Sequence, residues 1–189
     1  YELALDFASK TQVEGKLLIN HEWAQSMLTK MYKNVQISRL AYVESNYANG
    51  MYGLFKLLQM KPVFYIMKYL PDFLINRVLN AVLDSRPYSN LGTRLLRKFH
   101  CDHQTDEEID RTSGWGSLAK ITGTDAGVQN THMALELMGQ TGLRQDRTAE
   151  KHFRDAKLMQ IYEGTNQLNR LNVFKCFIAR QYPEVQMFD

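Results

Sequence analysis

Residues 20–50 run without a proline, and their only glycine is the last residue. Along them Trp23, Met27, Met31, Val35, Ile37, Leu40, Ala41 and Tyr47 recur at spacings of mostly three and four. Side chains so spaced line up along a helix surface, and a run of this length with no breaker predicts one long helix. Residues 109–139 read the same way, through Leu118, Ile121, Val128, Met133, Leu135 and Leu137. Shorter helices are predicted in "ELALDFASK" before Gly15, in "RTAEKHFRDAKLM", and in "NQLNRLNVFKCFIAR", where Leu168, Leu171, Phe174, Phe177 and Ile178 recur. No stretch alternates apolar and polar residues over several strands, and only four prolines and eleven glycines punctuate 189 residues. The expected fold is all-α: an up-down four-helix bundle of long antiparallel helices.

Composition narrows the function classes. A chain that is 44% hydrophobic and 23% charged is of ordinary globular make-up, long enough for one domain with a proper core or two small ones. The formal net charge of +3 comes with no run of lysine and arginine, which argues against a nucleic acid partner. Cys101 and Cys176 show no metal or redox spacing, so a reducing intracellular setting is expected, either cytoplasmic or the mitochondrial matrix. The N-terminus "YELALDFASK" reads as an amphipathic helix rather than a signal peptide. With no starting Met, the chain is expected to be a piece of a larger protein.

Residues 53–99 differ in character. "MKPVFYIMKYLPDFLINRVLNAVL" is apolar, yet Lys68, Asp72 and Arg77 interrupt it, as do Pro62 and Pro71. A membrane span needs about 20 apolar residues in a row, so the favoured reading is extra helices packed on the bundle. The rival reading is an amphipathic surface resting on a membrane or a partner. "CDHQTDEEID", at 101–110, reads as an acidic linker and helix start, with His103 and its acids too irregularly spaced for a metal site. His132 and His152 read as packing or surface residues, and no metal site is expected.

One carboxylate stands apart. Glu163 follows the apolar pair Ile161 and Tyr162 and precedes Gly164 and Thr165, where a helix pattern begins. Glycine at 164 lets the backbone take an unusual angle or approach a ligand closely. Thr165 or Asn166 can cap the helix. A carboxylate held against apolar surface is poorly solvated, which raises its pKa and makes it a better proton acceptor. The alternative is a plain acid near a helix N-terminus, favoured there by the dipole. The residues alone leave the two readings even.

"RDAKLMQIYEGTNQLNR", 154–170, closely resembles the signature near the C-terminus of acyl-CoA dehydrogenases: Arg-Asp-Ala, then Ile-Tyr-Glu-Gly-Thr, then Gln and a later Arg. "ALDFASKTQVEGKLLINHE" is similar to the segment that opens the family's C-terminal helical domain, and "AKITGTDAGVQNTHMALELMGQTGL", 119–143, to its penultimate long helix and following turn. The resemblance covers roughly 1–50 and 114–182, and 53–113 looks like an insertion of extra helices. It implies that residues 1–189 form the third domain of the family, with the N-terminal helical and middle β-domains outside this chain. It implies Glu163 as the base that takes the α-proton of an acyl-CoA thioester while a hydride passes to FAD. Gly164 would line the thioester, and the backbone N–H of Glu163 would help polarise its carbonyl. Thr165, Asn166, Gln167, Glu136, Gly139 and Gln140 would contact the cofactor, and Arg154 and Asp155 would fix the turn by pairing with backbone or with each other. An electron-transfer acceptor protein and a homo-oligomer, dimer or tetramer, are the implied partners. This domain alone is expected to be inactive.

Several positions depart from the family pattern. Where the family carries Arg and Phe in its first loop, this chain has Thr11 and Glu14, and Glu22 and Glu136 replace glutamines. Gln140 stands for a glycine. An acid near a pyrophosphate repels it. These residues motivate an alternative: a non-catalytic homologue or partner subunit that uses its helices as an oligomerisation module.

Overall fold

The computed structural model describes residues 1–53, 56, 60–74, 76–77, 104–182 and 184–185. All of 78–103, with Cys101 and His103, lies outside the described residues. The described elements are α1 (Glu2–Lys10), a hairpin of β1 (Gln12–Val13) and β2 (Lys16–Leu17), α2 (Glu22–Tyr52), α3 (Lys61–Tyr69), α4 (Asp106–Met138), α5 (Ala149–Met159) and α6 (Asn166–Val173). The fold is all-α, with the hairpin as a small exception. The chain divides into two compact units, Tyr1–Ser45 with Gly114–Asp189, and Asn46–Ser113.

In the first unit the core is built from alanines, leucines and a methionine. Ala4, Ala8, Leu18, Ala24, Leu28, Met31, Ala134 and Leu137 are buried together, with Phe7, Met27 and Met133 packed against them. Alanines let helix backbones approach closely, and methionine fills the irregular gaps that remain. The core residues of α2, Ala24, Leu28 and Met31, follow the i, i+4, i+7 rule for one helix face. Trp23, Ile37 and Leu40 recur in the same pattern but are exposed, Leu40 to 69%. Apolar residues circle α2, and among the described residues one side of it is buried.

Polar contacts fix the α2–α4 packing. The buried Asn130 donates Nδ2 to the Met31 carbonyl at 3.0 Å and accepts at Oδ1 from Asn34 Nδ2 at 2.9 Å. Further along α4, Gly114 lies against Phe177 and Cys176, and Asn172 Nδ2 donates to Ser117 Oγ at 2.8 Å. Periodicity did not foretell the hairpin. Its two-residue turn places Glu14 at φ 50° and Gly15 at φ 77°, the paired positive angles of a type I′ turn, with Gln12 opposite Leu17. His21 Nε2 sits 3.1 Å from the Val13 carbonyl.

In the second unit, α4 starts with a capping box. Thr105 Oγ1 accepts from the Glu108 N–H at 3.3 Å, and Glu108 Oε2 accepts from the Thr105 N–H at 3.2 Å. Glu108 also pairs with Lys56 at 2.6 Å. On and around α3, Phe64, Tyr65, Tyr69 and Phe73 are exposed. Among the described residues no helix is long and apolar enough to cross a membrane.

Candidate functional site

The segment between α5 and α6 carries the singled-out carboxylate. Helix α5 ends at Met159, and α6 begins after Thr165, whose Oγ1 accepts from the Leu168 N–H at 3.2 Å and caps the helix. Between them the backbone turns through two consecutive left-handed residues, Glu163 at φ 52° and Gly164 at φ 92°. Glycine adopts this angle freely. Glutamate does not, and it needs surrounding structure to hold it there.

That structure comes from α4. Asp125 Oδ1 accepts from Gln160 Nε2 at 2.6 Å and from Asn166 Nδ2 at 2.7 Å, while its Oδ2 accepts from Arg170 at 2.7 Å. Lys120 Nζ donates to the Gly164 carbonyl at 2.5 Å and to Asn166 Oδ1 at 3.1 Å. The Gly164 carbonyl takes a second donor, Asn169 Nδ2, at 2.9 Å. Thr124 Oγ1 accepts from Asn166 Nδ2 at 2.8 Å, and the Asn166 N–H donates to the Gln160 carbonyl at 2.9 Å.

The carboxylate itself is treated differently. Glu163 is exposed, and neither its carboxylate nor its N–H has a partner among the described residues. The expected apolar surround is not found among the described residues: Ile161 and Tyr162 are 62% and 48% exposed. They point outward because no helix of the described residues covers the loop, so desolvation of Glu163 requires surface from elsewhere. The neighbouring Leu158, Met159 and Leu168 are exposed too, giving the loop an apolar rim.

The other sequence-predicted residues fall into distinct places. Asn166, read as a cofactor contact, is 2% exposed with its amide engaged by Lys120, Thr124 and Asp125; its side chain holds the loop. Thr165 spends its hydroxyl oxygen on the cap, and Gln167 is exposed beside it. Glu136 is also exposed, and His132 Nδ1 sits 3.4 Å from its Oε1. Gly139 has φ 55°, and a Cβ there would meet nothing within 4 Å; Gln140 follows it, exposed. Glu136 stands eleven residues beyond Asp125 on α4, about 16 Å at the helical rise. Among the described residues the two predicted groups are therefore not brought together.

Arg154 and Asp155 do not pair with each other or with the turn. Arg154 pairs with Glu150 and Asp155 with Lys151, each one turn away within α5. Both pairs are exposed. Hydrogen bonding to Glu150 holds the Arg154 pKa above its ordinary value, and hydrogen bonding to Lys151 holds Asp155 below the usual carboxylate range. A cleft of about 740 Å³ lies beside α5, lined by Tyr32, Arg39, Asn130, His152, Asp155 and Met159 among others, and Glu163 is not part of it. Among the described residues no group of three or more His, Cys, Asp or Glu could hold a metal ion.

Lys120, Thr124 and Asp125 were not singled out by sequence reasoning. Their one local signal is that they lie on about one helical turn, four and five residues after Lys120. Nothing local connects them to a loop 35 or more residues away.

Comparison with known proteins gives this arrangement a context. Residues 93–177 match the family described as "Acyl-CoA dehydrogenase, C-terminal domain". The chain is similar to the mitochondrial short-chain specific acyl-CoA dehydrogenase of Bos taurus, 39% identical over 57 residues, which are 30% of this chain and 14% of that protein. It is similar to the cyclohexane-1-carbonyl-CoA dehydrogenase of Geobacter metallireducens, 44% identical over 61 residues, 32% of this chain and 16% of that protein. The cyclohex-1-ene-1-carbonyl-CoA dehydrogenase of the same organism is 31% identical over 100 residues, 53% of this chain and 24% of that protein. The chain thus spans a quarter or less of the curated relatives it matches. The matched region holds the Glu163 loop and the α4 residues that pin it. Residues 93–177, which hold that loop, are thus similar to the C-terminal domain of the acyl-CoA dehydrogenase family.

Proposed function

We propose that this chain is the C-terminal helical domain of a flavin-dependent acyl-CoA dehydrogenase, with Glu163 as the base that removes the α-proton of an acyl-CoA thioester. The observation that carries this reading is the state of Glu163 on its pinned loop. Its carboxylate and its N–H are both unpartnered among the described residues, on a backbone held in left-handed geometry. A thioester carbonyl accepting that N–H would have its α-proton acidified, because negative charge developing on the oxygen is met by a donor. The adjacent carboxylate would then be within reach of the proton. The exposed rim of Leu158, Ile161, Tyr162 and Leu168 would exclude water once covered by further protein, which strengthens both interactions.

The residues present fit one edge of a flavin site. At the loop Gln167 offers an uncharged donor, while Asn166 is spent on the loop; Gln140 and the open backbone at Gly139 would serve a separate stretch of the cofactor. Bound FAD would supply the acceptor for the hydride that leaves the β-carbon. In this reading residues 1–189 form the third domain as an up-down four-helix bundle, with an insertion at about 53–113. The other two domains and a neighbouring subunit complete the site, so the domain alone does not turn over substrate. The exposed apolar faces of α2 and α6 are covered in a homo-oligomer. Electrons pass on to an acceptor protein, and the enzyme resides in the cytoplasm or the mitochondrial matrix.

The test uses the intact flavoprotein. Short-chain and alicyclic acyl-CoAs, the classes named by the relatives, are added without oxygen, and the flavin band is followed. Bleaching by one class, abolished in Glu163→Gln with flavin still bound, is the expected result. Undiminished bleaching in Glu163→Gln would remove Glu163 as the base. A second reading, a non-catalytic assembly module, is favoured by one observation: Glu136 places a carboxylate where the family has an amide, and it is exposed beside His132. An intact protein that neither carries nor takes up flavin would establish that alternative.

A further inference from the structure

The loop that bears Glu163 is held at three points by one short stretch of α4. Asp125 Oδ1 accepts from Gln160 Nε2 and from Asn166 Nδ2, the residues on either side of 161–165. One oxygen atom therefore fixes the distance between the two ends of the loop. Arg170 occupies the second oxygen, which keeps the carboxylate from rotating. Lys120 acts inside the loop: it donates to the carbonyl of Gly164, the residue after Glu163, and to Asn166 Oδ1. A peptide group held by two donors, Lys120 and Asn169, cannot flip without losing both. Left-handed backbone at a glutamate persists only where the surroundings over-determine it. Here the surroundings are a lysine and an aspartate within two helical turns.

We infer that Lys120 and Asp125 are positioning residues for Glu163, locking the loop so that the Glu163 carboxylate and N–H are presented together. The inference rests on the reading of Glu163 as the base. Neither residue touches Glu163 itself among the contacts described, so each acts through Gly164, Gln160 and Asn166. Their substitution should slow proton abstraction while leaving the flavin and the acyl-CoA bound. A misplacement on the order of 1 Å can cost about 100-fold in rate. A purely structural role would instead lower melting temperature and flavin content, with the folded fraction reacting normally.

Lys120→Met and Asp125→Asn are made in the intact flavoprotein beside Glu163→Gln. Three quantities are read: the rate of flavin bleaching by acyl-CoA, KM, and hydrogen exchange of amides 161–169. The expected result is a rate lower by about 10- to 100-fold in both variants, with KM and flavin content unchanged and exchange at the Asn166 N–H accelerated. Asp125→Asn keeps the side-chain shape and carries the test if Lys120→Met does not fold. Parental bleaching rates in the variants, with Glu163→Gln inactive, would overturn the positioning role and leave the base in place. Parental exchange rates would overturn it as well. Bleaching that survives Glu163→Gln would remove the base reading and this inference with it.

Discussion

Replacing Gly114 by alanine sets two effects of opposite sign against each other. Gly114 is buried in α4, and a Cβ built there would stand 2.6 Å from Phe177 Cζ, 2.7 Å from Phe177 Cε2 and 2.9 Å from Cys176 Cβ. Carbon atoms prefer separations of about 3.5–4.0 Å, so the helix or the ring must move by close to 1 Å. Phe177 is not free to yield, because it packs edge-on against Trp115 at 5.7 Å. Overpacking of this kind costs about 1–3 kcal/mol. Alanine returns up to about 1 kcal/mol as a better helix former than glycine. Clashes with two side chains at once place the site in the upper half of that range, about 2–3 kcal/mol, so the steric loss wins and leaves Gly114→Ala less stable by about 1–2 kcal/mol, or roughly 2–8 °C in Tm for a chain of this length. Gly116 provides the internal control. It lies two residues on in the same helix, and a Cβ there meets nothing within 4 Å, so Gly116→Ala should raise stability by about 0.5–1 kcal/mol. Thermal and urea unfolding followed by circular dichroism measure both. A Gly114→Ala chain as stable as the parent would refute the packing, and equal losses at both sites would refute the steric reasoning.

Two further perturbations test local features. Glu14 occupies a left-handed position at φ 50° in the hairpin turn, where asparagine fits better, so Glu14→Asn should raise the unfolding free energy by about 0.5–1 kcal/mol; a lower Tm would contradict the turn geometry. Asp155 is held below the usual carboxylate range by its hydrogen bond to Lys151, so its contribution is present above the unfolded carboxylate value and lost as pH falls through the folded one. Stability curves of parent and Asp155→Asn should therefore separate near neutrality, converge below about pH 4, and separate less in high salt, since the pair is exposed; curves that diverge toward acid would be the contrary result.

Much of the site was readable locally. The motif around Glu163 is contiguous, and its effects are those of nearest neighbours: glycine at 164 permits a positive φ, and Thr165 caps α6 through its own hydroxyl. What Asn166 does was not readable. Its type suits a ligand contact as well as an internal clamp, and its 2% exposure and α4 partners, which show the clamp, come from the tertiary structure alone. The same holds for Arg154 and Asp155, which sequence adjacency linked together and helical geometry paired one turn apart with Glu150 and Lys151.

Sequence by itself determined the long helices α2 and α4, because the absence of proline and spacings of three and four favour a helix, even with the four glycines of α4. It also determined the residue offered as base, because that signature is local. Tertiary structure alone decided which face of α2 is buried, since apolar residues circle that helix and only packing partners choose among them. It also decided that Glu163 takes a left-handed backbone beneath Lys120 and Asp125. Those hydrogen bonds join residues 35 to 46 apart in the chain, a separation over which periodicity and propensity carry no information.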